Sequence, residues 1–475
     1  MKMKLSKGSF SILCIEIVLL LAVFYIPHQF TTQACIILAD VFVLLTVYRI
    51  LKNGFQDVPL FFFNITEWIF VLCGCTVSIF KTGSVADYIS VGLNERQLAE
   101  ACWIALFGIA CLDIIYFLFE HTETVETDNN CIQEPAKIQK QIVLFAFAIA
   151  STCKMAMAFE TMTYSATFGY VALYTREVSI LPGIVRYLGA LFYFSLMLVL
   201  SAGVSKKTTY AVFGITGIIE AMILNSGDRG EAVCGILVLI IYTIFRCRRE
   251  SSFLIHKKAV IFALCGSLPL FVFALQLIKY TRMGNTADFS FWEGFFEFFE
   301  SQGVSINIIS NEIAYKNEIT AIGGHTFVIK QILSYLQQNV LSRTIFGLKK
   351  IAGNSVEMAM SGSSLGSTIM YIILPSSYLR GIGCGTCYLA ELYQDASWFG
   401  IIIGTGIISG LLRWIKVMNR KNWIVSAMML NCMRIVLVLP RGAFFKWLTE
   451  MLSVPNLMLL FVVCFVGSLT DRKKV

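Results

Sequence analysis

Three arginines in this chain stand directly before a glycine: Arg229 in "SGDRGEA", Arg380 in "YLRGIG" and Arg441 in "LPRGAF". A guanidinium stays protonated and offers a planar fork of donors, which suits the paired oxygens of a diphosphate. The neighbouring glycine lets a bulky anion come close to the backbone. Any one of these arginines reads equally well as a side chain snorkelling to lipid headgroups; their recurrence in one setting points to a bound anion. Arg282, outside this Arg-Gly pattern, is a further outside-facing candidate, and Asp228 and Glu231 flank Arg229 as groups that could orient it.

A proton acceptor is the second requirement of group-transfer chemistry. Glu391, in "CYLAELYQDASWFG", lies among Tyr388, Leu389, Leu392 and Tyr393. Partial desolvation there would make it a stronger base, while a rim carboxylate paired with a nearby arginine fits the same pattern. His325, in "IGGHTF", is a further acid/base candidate. The chain has no GxxxxGK(S/T), no HExxH and no D-x-D, and only four histidines. Its residues therefore suggest neither a metal site nor a cofactor. Cys384 and Cys387 form a lone C-x-x-C, which reads as packing or an incidental disulfide before it reads as redox chemistry.

Composition fixes the setting. Of 475 residues 57% are hydrophobic and 14% charged, with a mean hydropathy of +0.73. A soluble domain carries far more charge, so the chain is expected to be an all-α polytopic membrane protein. Apolar runs at about 9–26, 32–50, 59–80, 98–119, 141–159, 183–204, 208–224, 231–246, 259–279, 396–415, 423–439 and 455–470 predict about twelve transmembrane helices. With the N-terminus in the cytoplasm, the inside segments hold twenty-one Lys and Arg; the short outside connections hold six, namely Lys81, Arg96, Arg176, Arg229, Arg441 and Lys446. That bias predicts cytoplasmic termini and explains the net charge of +8 without nucleic acid. It puts the Arg-Gly pairs at outer membrane edges, where the anion to be met is a lipid-linked diphosphate.

Three regions follow: a bundle of about nine helices in 1–279, a large external loop in 280–395, and three helices with a basic tail in 396–475. Long loops on one face of a bundle carry function or cover a site. Within this one, "FSFWEGFFEFFESQGVS" sets Trp292, Phe295, Phe296 and Phe299 against Glu293, Glu297 and Glu300, an amphipathic interfacial helix or a cradle for a prenyl chain. The Gly/Ser-rich 347–367 suggests a lid, and "TIMYIILP" is too short to span and reads as a buried or re-entrant piece.

The stretches "NSGDRGEAV", "FFESQGVSINII", "CGTCYLAELYQDASWFGIIIGTGIISG" and "LPRGAFFKW", in this order, resemble the Wzy-type O-antigen or capsular polysaccharide polymerases, a GT-C-like family of bacterial envelope enzymes. The likeness covers most of the chain past about residue 180. It implies a metal-independent glycosyltransferase in the cytoplasmic (inner) membrane, working on its external face. Such an enzyme moves a growing glycan from undecaprenyl diphosphate to an incoming lipid-linked repeat unit. The partners implied are the lipid-linked oligosaccharide and membrane lipid, with a flippase and a chain-length regulator beside them. Onto this chain the resemblance carries Arg229 first, then Glu391 as acid/base, then Arg441, with Arg380 and Arg282 as further diphosphate ligands. Ser397 stands where the family usually has the first glycine of a pair. A lipid-linked oligosaccharide flippase, or a ligase sharing the same chemistry, is the alternative.

Overall fold

A computed structural model describes residues 17–18, 21, 31–52, 57–85, 93–118, 135–169, 172–175, 179–226, 229–250, 272–273, 275–277, 290–418 and 422–472. Among them there is no strand. The long helices are α1 (Thr31–Lys52), α2 (Val58–Thr82), α3 (Glu95–Leu118), α4 (Lys137–Phe168), α5 (Gly183–Ser201), α6 (Lys206–Ser226) and α7 (Arg229–Arg249). Eight short helices follow: α8 (Phe291–Gln302), α9 (Ser305–Ala314), α10 (Lys316–Gly323), α11 (Phe327–Gln338), α12 (Val340–Phe346), α13 (Val356–Met360), α14 (Leu365–Ile373) and α15 (Pro375–Leu379). The chain closes with α16 (Tyr388–Lys416), α17 (Trp423–Val436), α18 (Lys446–Met451) and α19 (Val454–Arg472).

Nine helices among the described residues are long and apolar enough to cross a membrane, and Val454–Leu469 is a shorter apolar helix. The protein is thus an all-α polytopic membrane protein. Of the twelve runs expected, the one at 9–26 and most of the one at 259–279 lie outside the described residues.

Packing in lipid rests on close contact and internal polar ties, because the solvent is as apolar as the side chains. Helix α5 shows the first: every residue from Phe192 to Leu200 is buried, as a helix apolar all round must be. It packs between α4 and α17. Polar ties fasten the rest. Asp113 on α3 accepts from Thr46 (2.6 Å) and Asn64 (2.9 Å), and Glu67 on α2 accepts from the Tyr388 hydroxyl (2.6 Å). Just beyond Glu67, α2 widens into a π turn at Trp68–Leu72.

The two ends of the bundle differ. At one, Asp57 is buried between Lys416 (2.6 Å) and the Tyr116 hydroxyl (2.9 Å), and Arg413 donates to the Tyr116 carbonyl (2.7 Å). Helices α8–α15 gather at the other end, marked by Lys81, Glu100 and Arg441. Lys81 pairs with Glu300 (2.7 Å), and Arg441 donates to Gln302 (3.0 Å). Helix α8 starts in a capping box: Ser290 Oγ accepts from the Glu293 amide and Glu293 from the Ser290 amide. Phe299 packs against Trp68, while Trp292 and Phe296 stay exposed.

Helix α16 is broken. Ala396 and Ser397 leave helical geometry, with Ser397 at φ +50°, a conformation costly for any residue with a Cβ. The break separates a head, Tyr388–Asp395, from the spanning part. Gly400 permits it, because a Cβ there would meet the Leu392 carbonyl oxygen.

Candidate active site

Glu391 sits on the α16 head, fully buried. Its Oε2 accepts from Gln331 Nε2 (2.6 Å) and from the Phe444 amide (2.8 Å), and its Oε1 from the Thr386 hydroxyl (2.9 Å). One carboxylate so joins the loop before α16, helix α11 and the Gly442–Phe445 turn. Gln331 completes a ring by accepting from the Phe445 amide (3.1 Å). Among the described residues no arginine shares this carboxylate; amides and a hydroxyl satisfy it, as burial of a carboxyl demands.

The same head fixes the start of α11. Asp395 accepts from the amides of Phe327 (2.9 Å) and Val328 (2.8 Å), the unpaired donors of a helix N-terminus. His325 lies just before them, exposed, with Nδ1 3.4 Å from the Gln394 carbonyl oxygen.

A cavity of about 280 Å³ opens beside this ring. Gln331, Ser334, Tyr335 and Gln338 of α11 form one wall, Met358, Ser363 and Ser364 a second, and Ala443, Lys446 and Thr449 a third. The Gly/Ser-rich stretch supplies the second wall and is pinned, with Asn354 donating to the Tyr378 carbonyl (3.0 Å). "TIMYIILP" falls on α14 and the start of α15, with Thr368, Ile369 and Met370 buried, so it is a buried piece of this wall's support. The lining carries amides, hydroxyls and one cation but no carboxylate, which suits a polyhydroxylated ligand with negative charge nearby.

Behind Lys446 the charges continue inward. Lys446 lies 3.6 Å from Glu450, which holds Arg434 at 2.6 Å. The Arg434 guanidinium stacks 4.1 Å from the Tyr193 ring, with Lys154 5.3 Å from the same ring, both within cation–π range. Lys154 pairs with Glu231 (2.9 Å), and the Tyr193 hydroxyl donates to Glu220 (3.3 Å). This cluster draws on α4, α5, α6, α7, α17 and α18.

The residues singled out in the sequence therefore separate. Glu391 and Arg441 share one neighbourhood, two residues dividing Arg441 from the Phe444 amide, and His325 adjoins it through Gln394. Glu231 belongs to the charge cluster. Arg229 opens α7 two residues before Glu231, but its side chain, like Asp228 and Arg282, lies outside the described residues. Arg380 is exposed and turned back onto its own helix, toward the Ser376 carbonyl (3.3 Å) and the Ser377 hydroxyl (3.4 Å). Cys384 and Cys387 are free thiols, and burial pushes them up to about 11 and about 12, so neither is a thiolate at neutral pH.

Sequence reasoning missed Gln331, Asp395, Lys446, Arg434 and Lys154. For Arg434 and Lys154 a signal existed: an ionisable residue inside an apolar run is expensive, and it marks function. Gln331 has no such mark.

A family model for the O-antigen polysaccharide polymerase Wzy matches residues 9–474. The chain belongs to the O-antigen polysaccharide polymerase Wzy family. No curated protein and no solved structure matches it. As a Wzy family member it is an integral membrane protein of O-antigen polysaccharide polymerisation, a glycosyltransferase-type polymerase acting on lipid-linked oligosaccharide repeat units.

Proposed function

We propose that this polymerase transfers a growing glycan from undecaprenyl diphosphate to the sugar end of an incoming lipid-linked unit, without a metal, at the cavity bounded by Gln331 and Lys446. The observation that carries this reading is one cavity whose lining offers amides and hydroxyls, with Lys446 at its rim leading to the ion-paired charge cluster behind it.

The acceptor hydroxyl attacks the anomeric carbon as the bond to the diphosphate oxygen breaks, and the hydroxyl proton passes to the departing diphosphate. Charge builds on that diphosphate, so fixed cations beside it lower the barrier most. Lys446 faces the cavity, with Arg434 and Lys154 behind it and Arg229 at the head of α7; Arg441 guards the opposite side of the Phe444 turn. Arg380 and Arg282 stand further down the list of diphosphate ligands. Gln331 contacts the sugar. Glu391 holds Gln331 and the Phe444 amide in place through Oε2, which leaves Oε1, bonded only to Thr386, as the oxygen that could act as base. His325 has a supporting role beside Asp395. Asp228 and Glu231 steady the cations.

The external face is the natural side for this chemistry. The short helices cover the end bearing Lys81 and Arg441, whereas Arg49, Arg413 and Lys416 lie at the other, as the positive-inside bias requires. Segment 280–395 is then the external loop, with a cytoplasmic-membrane location and cytoplasmic termini.

Purified protein with lipid-linked repeat units should give a ladder of lengthening products. Arg229→Ala should abolish long polymer in cells lacking their own copy, and unaltered chain length would refute the diphosphate assignment. A single transfer to another acceptor would mark a ligase, and substrate movement without transfer a flippase.

A further inference from the structure

Helix α11 has two faces of opposite character. Gln331, Ser334, Tyr335 and Gln338 line the cavity. On the reverse face Ile329, Leu333 and Leu336 are exposed, at the three- and four-residue spacing of a single helical stripe. Helix α12 continues the apolar surface with no buried residue at all: Ile345 and Phe346 are 71% and 72% exposed. From Phe327 to Lys350 the chain holds Lys330, Arg343, Lys349 and Lys350 and neither Asp nor Glu. Lys330 is engaged by the Gly323 carbonyl (2.8 Å), while Lys349 and Lys350 are exposed directly after the apolar stripe.

We propose that α11 and α12 lie in the surface of an anionic bilayer, with the Ile329–Leu333–Leu336 stripe and Ile345–Phe346 in the acyl-chain boundary and Lys349 and Lys350 on lipid phosphate. An amphipathic helix with a basic, acid-free flank binds such a surface by apolar burial plus headgroup attraction. The Tyr335 hydroxyl fixes the depth by donating to the Leu452 carbonyl (2.8 Å), just before α19. Helix α19 exposes Met458, Phe461 and Phe465 and so stands at the lipid boundary itself. Helix α11 then becomes a one-helix partition between bilayer and cavity. A lipid-linked substrate keeps its chain on one side of that partition and presents its head on the other. This last step rests on the proposed function; the membrane placement does not.

The placement is tested without substrate, on the full chain in nanodiscs of mixed zwitterionic and anionic lipid. Leu333 and Phe346 are each replaced by a photoreactive phenylalanine derivative, with Glu318, exposed on α10, as the control position. Mass spectrometry should find lipid adducts at positions 333 and 346 and none at 318. Replacing Lys349 and Lys350 by Gln should lower the enrichment of anionic over zwitterionic adducts by roughly fivefold per lysine, down toward the bulk lipid ratio. As a second measurement, unaltered protein irradiated with photoactivatable-acyl lipid should carry label on peptides from 327–350. Absence of lipid adducts in both experiments, or crosslinks from 333 and 346 to another protein in native membranes, would overturn the placement. A polymerase that fails to make a ladder yet gives these adducts would overturn only the functional reading.

Discussion

The Phe444 amide donates to Glu391 across 53 residues of sequence, at 2.8 Å and away from solvent. The turn that follows Arg441 is thereby locked to the helix head that also holds Gln331. Replacing one atom of this link separates its two readings. In Glu391→Gln the amide oxygen still takes the Gln331 and Phe444 donors, and its NH2 meets the Thr386 hydroxyl, which can accept. Product formation should fall less than about tenfold, with thermal stability retained. A loss of roughly 10²–10⁴ with intact stability would make Glu391 the base instead. Glu391→Ala orphans three donors and should destabilise the detergent-solubilised protein by about 3–5 kcal/mol.

Lys446 is the cation most open to the cavity, its side chain 44% exposed. Lys446→Ala should leave thermal stability within about 0.5 kcal/mol. It should also raise KM for lipid-linked substrate roughly tenfold, the worth of one charge-assisted contact. Arg434→Ala should behave differently, because it strips Glu450 of its 2.6 Å partner and Tyr193 of its stacked cation. Stability and activity should fall together. Polymerisation assays paired with thermal unfolding distinguish the two.

Glu312, on α9, is buried with no hydrogen bond to either carboxylate oxygen. Burial pushes its carboxyl up to about 8, opposed by Lys316 and reinforced by Glu100. A carboxyl with a raised folded-state value is uncharged at no cost below its unfolded value near 4.5. It therefore destabilises progressively as pH climbs from there to about 8. Glu312→Gln should flatten this slope and add on the order of 4 kcal/mol at pH 8 or above, with little change at pH 4.5. Unfolding curves at the two pH values check it, and an equal shift at both would exclude the titration.

The break in α16 makes opposite demands at neighbouring positions. Ser397→Gly should stabilise by about 1 kcal/mol, since glycine adopts φ +50° without a Cβ penalty. Gly400→Ala should cost about 1–3 kcal/mol, because its methyl group meets the backbone carbonyl of Leu392 and not a movable side chain. Thermal unfolding in one detergent compares both with the parent.

Much of the fold is legible in the sequence because lipid imposes a length on every apolar run. The expected run at 396–415 begins at the residue where α16 breaks. Glu391 was visible as a carboxylate among apolar neighbours. Gln331, which reaches it from 60 residues away, was not: a neutral amide in an amphipathic stretch looks like any other. Lys154 and Arg434 were visible as charges in greasy runs, but only the folded bundle shows that they meet on one tyrosine. Of the eight short helices, α8 was legible as an amphipathic stretch, while the others have no transmembrane length to give them away.

Ser397 also divides α16 mechanically. The head above it carries Glu391 and Asp395, and these grip α11 at its middle and at its start. The spanning part below it is keyed to α3, where Ser409 donates to the Leu112 carbonyl and Arg413 to that of Tyr116. The head is fastened to the same bundle, since Tyr388 donates to Glu67 on α2 and Tyr393 to Glu100 on α3. Ser397 is thus a bend in a doubly anchored helix, and the cavity wall that Glu391 and Asp395 grip is referenced to the transmembrane helices on both sides of it.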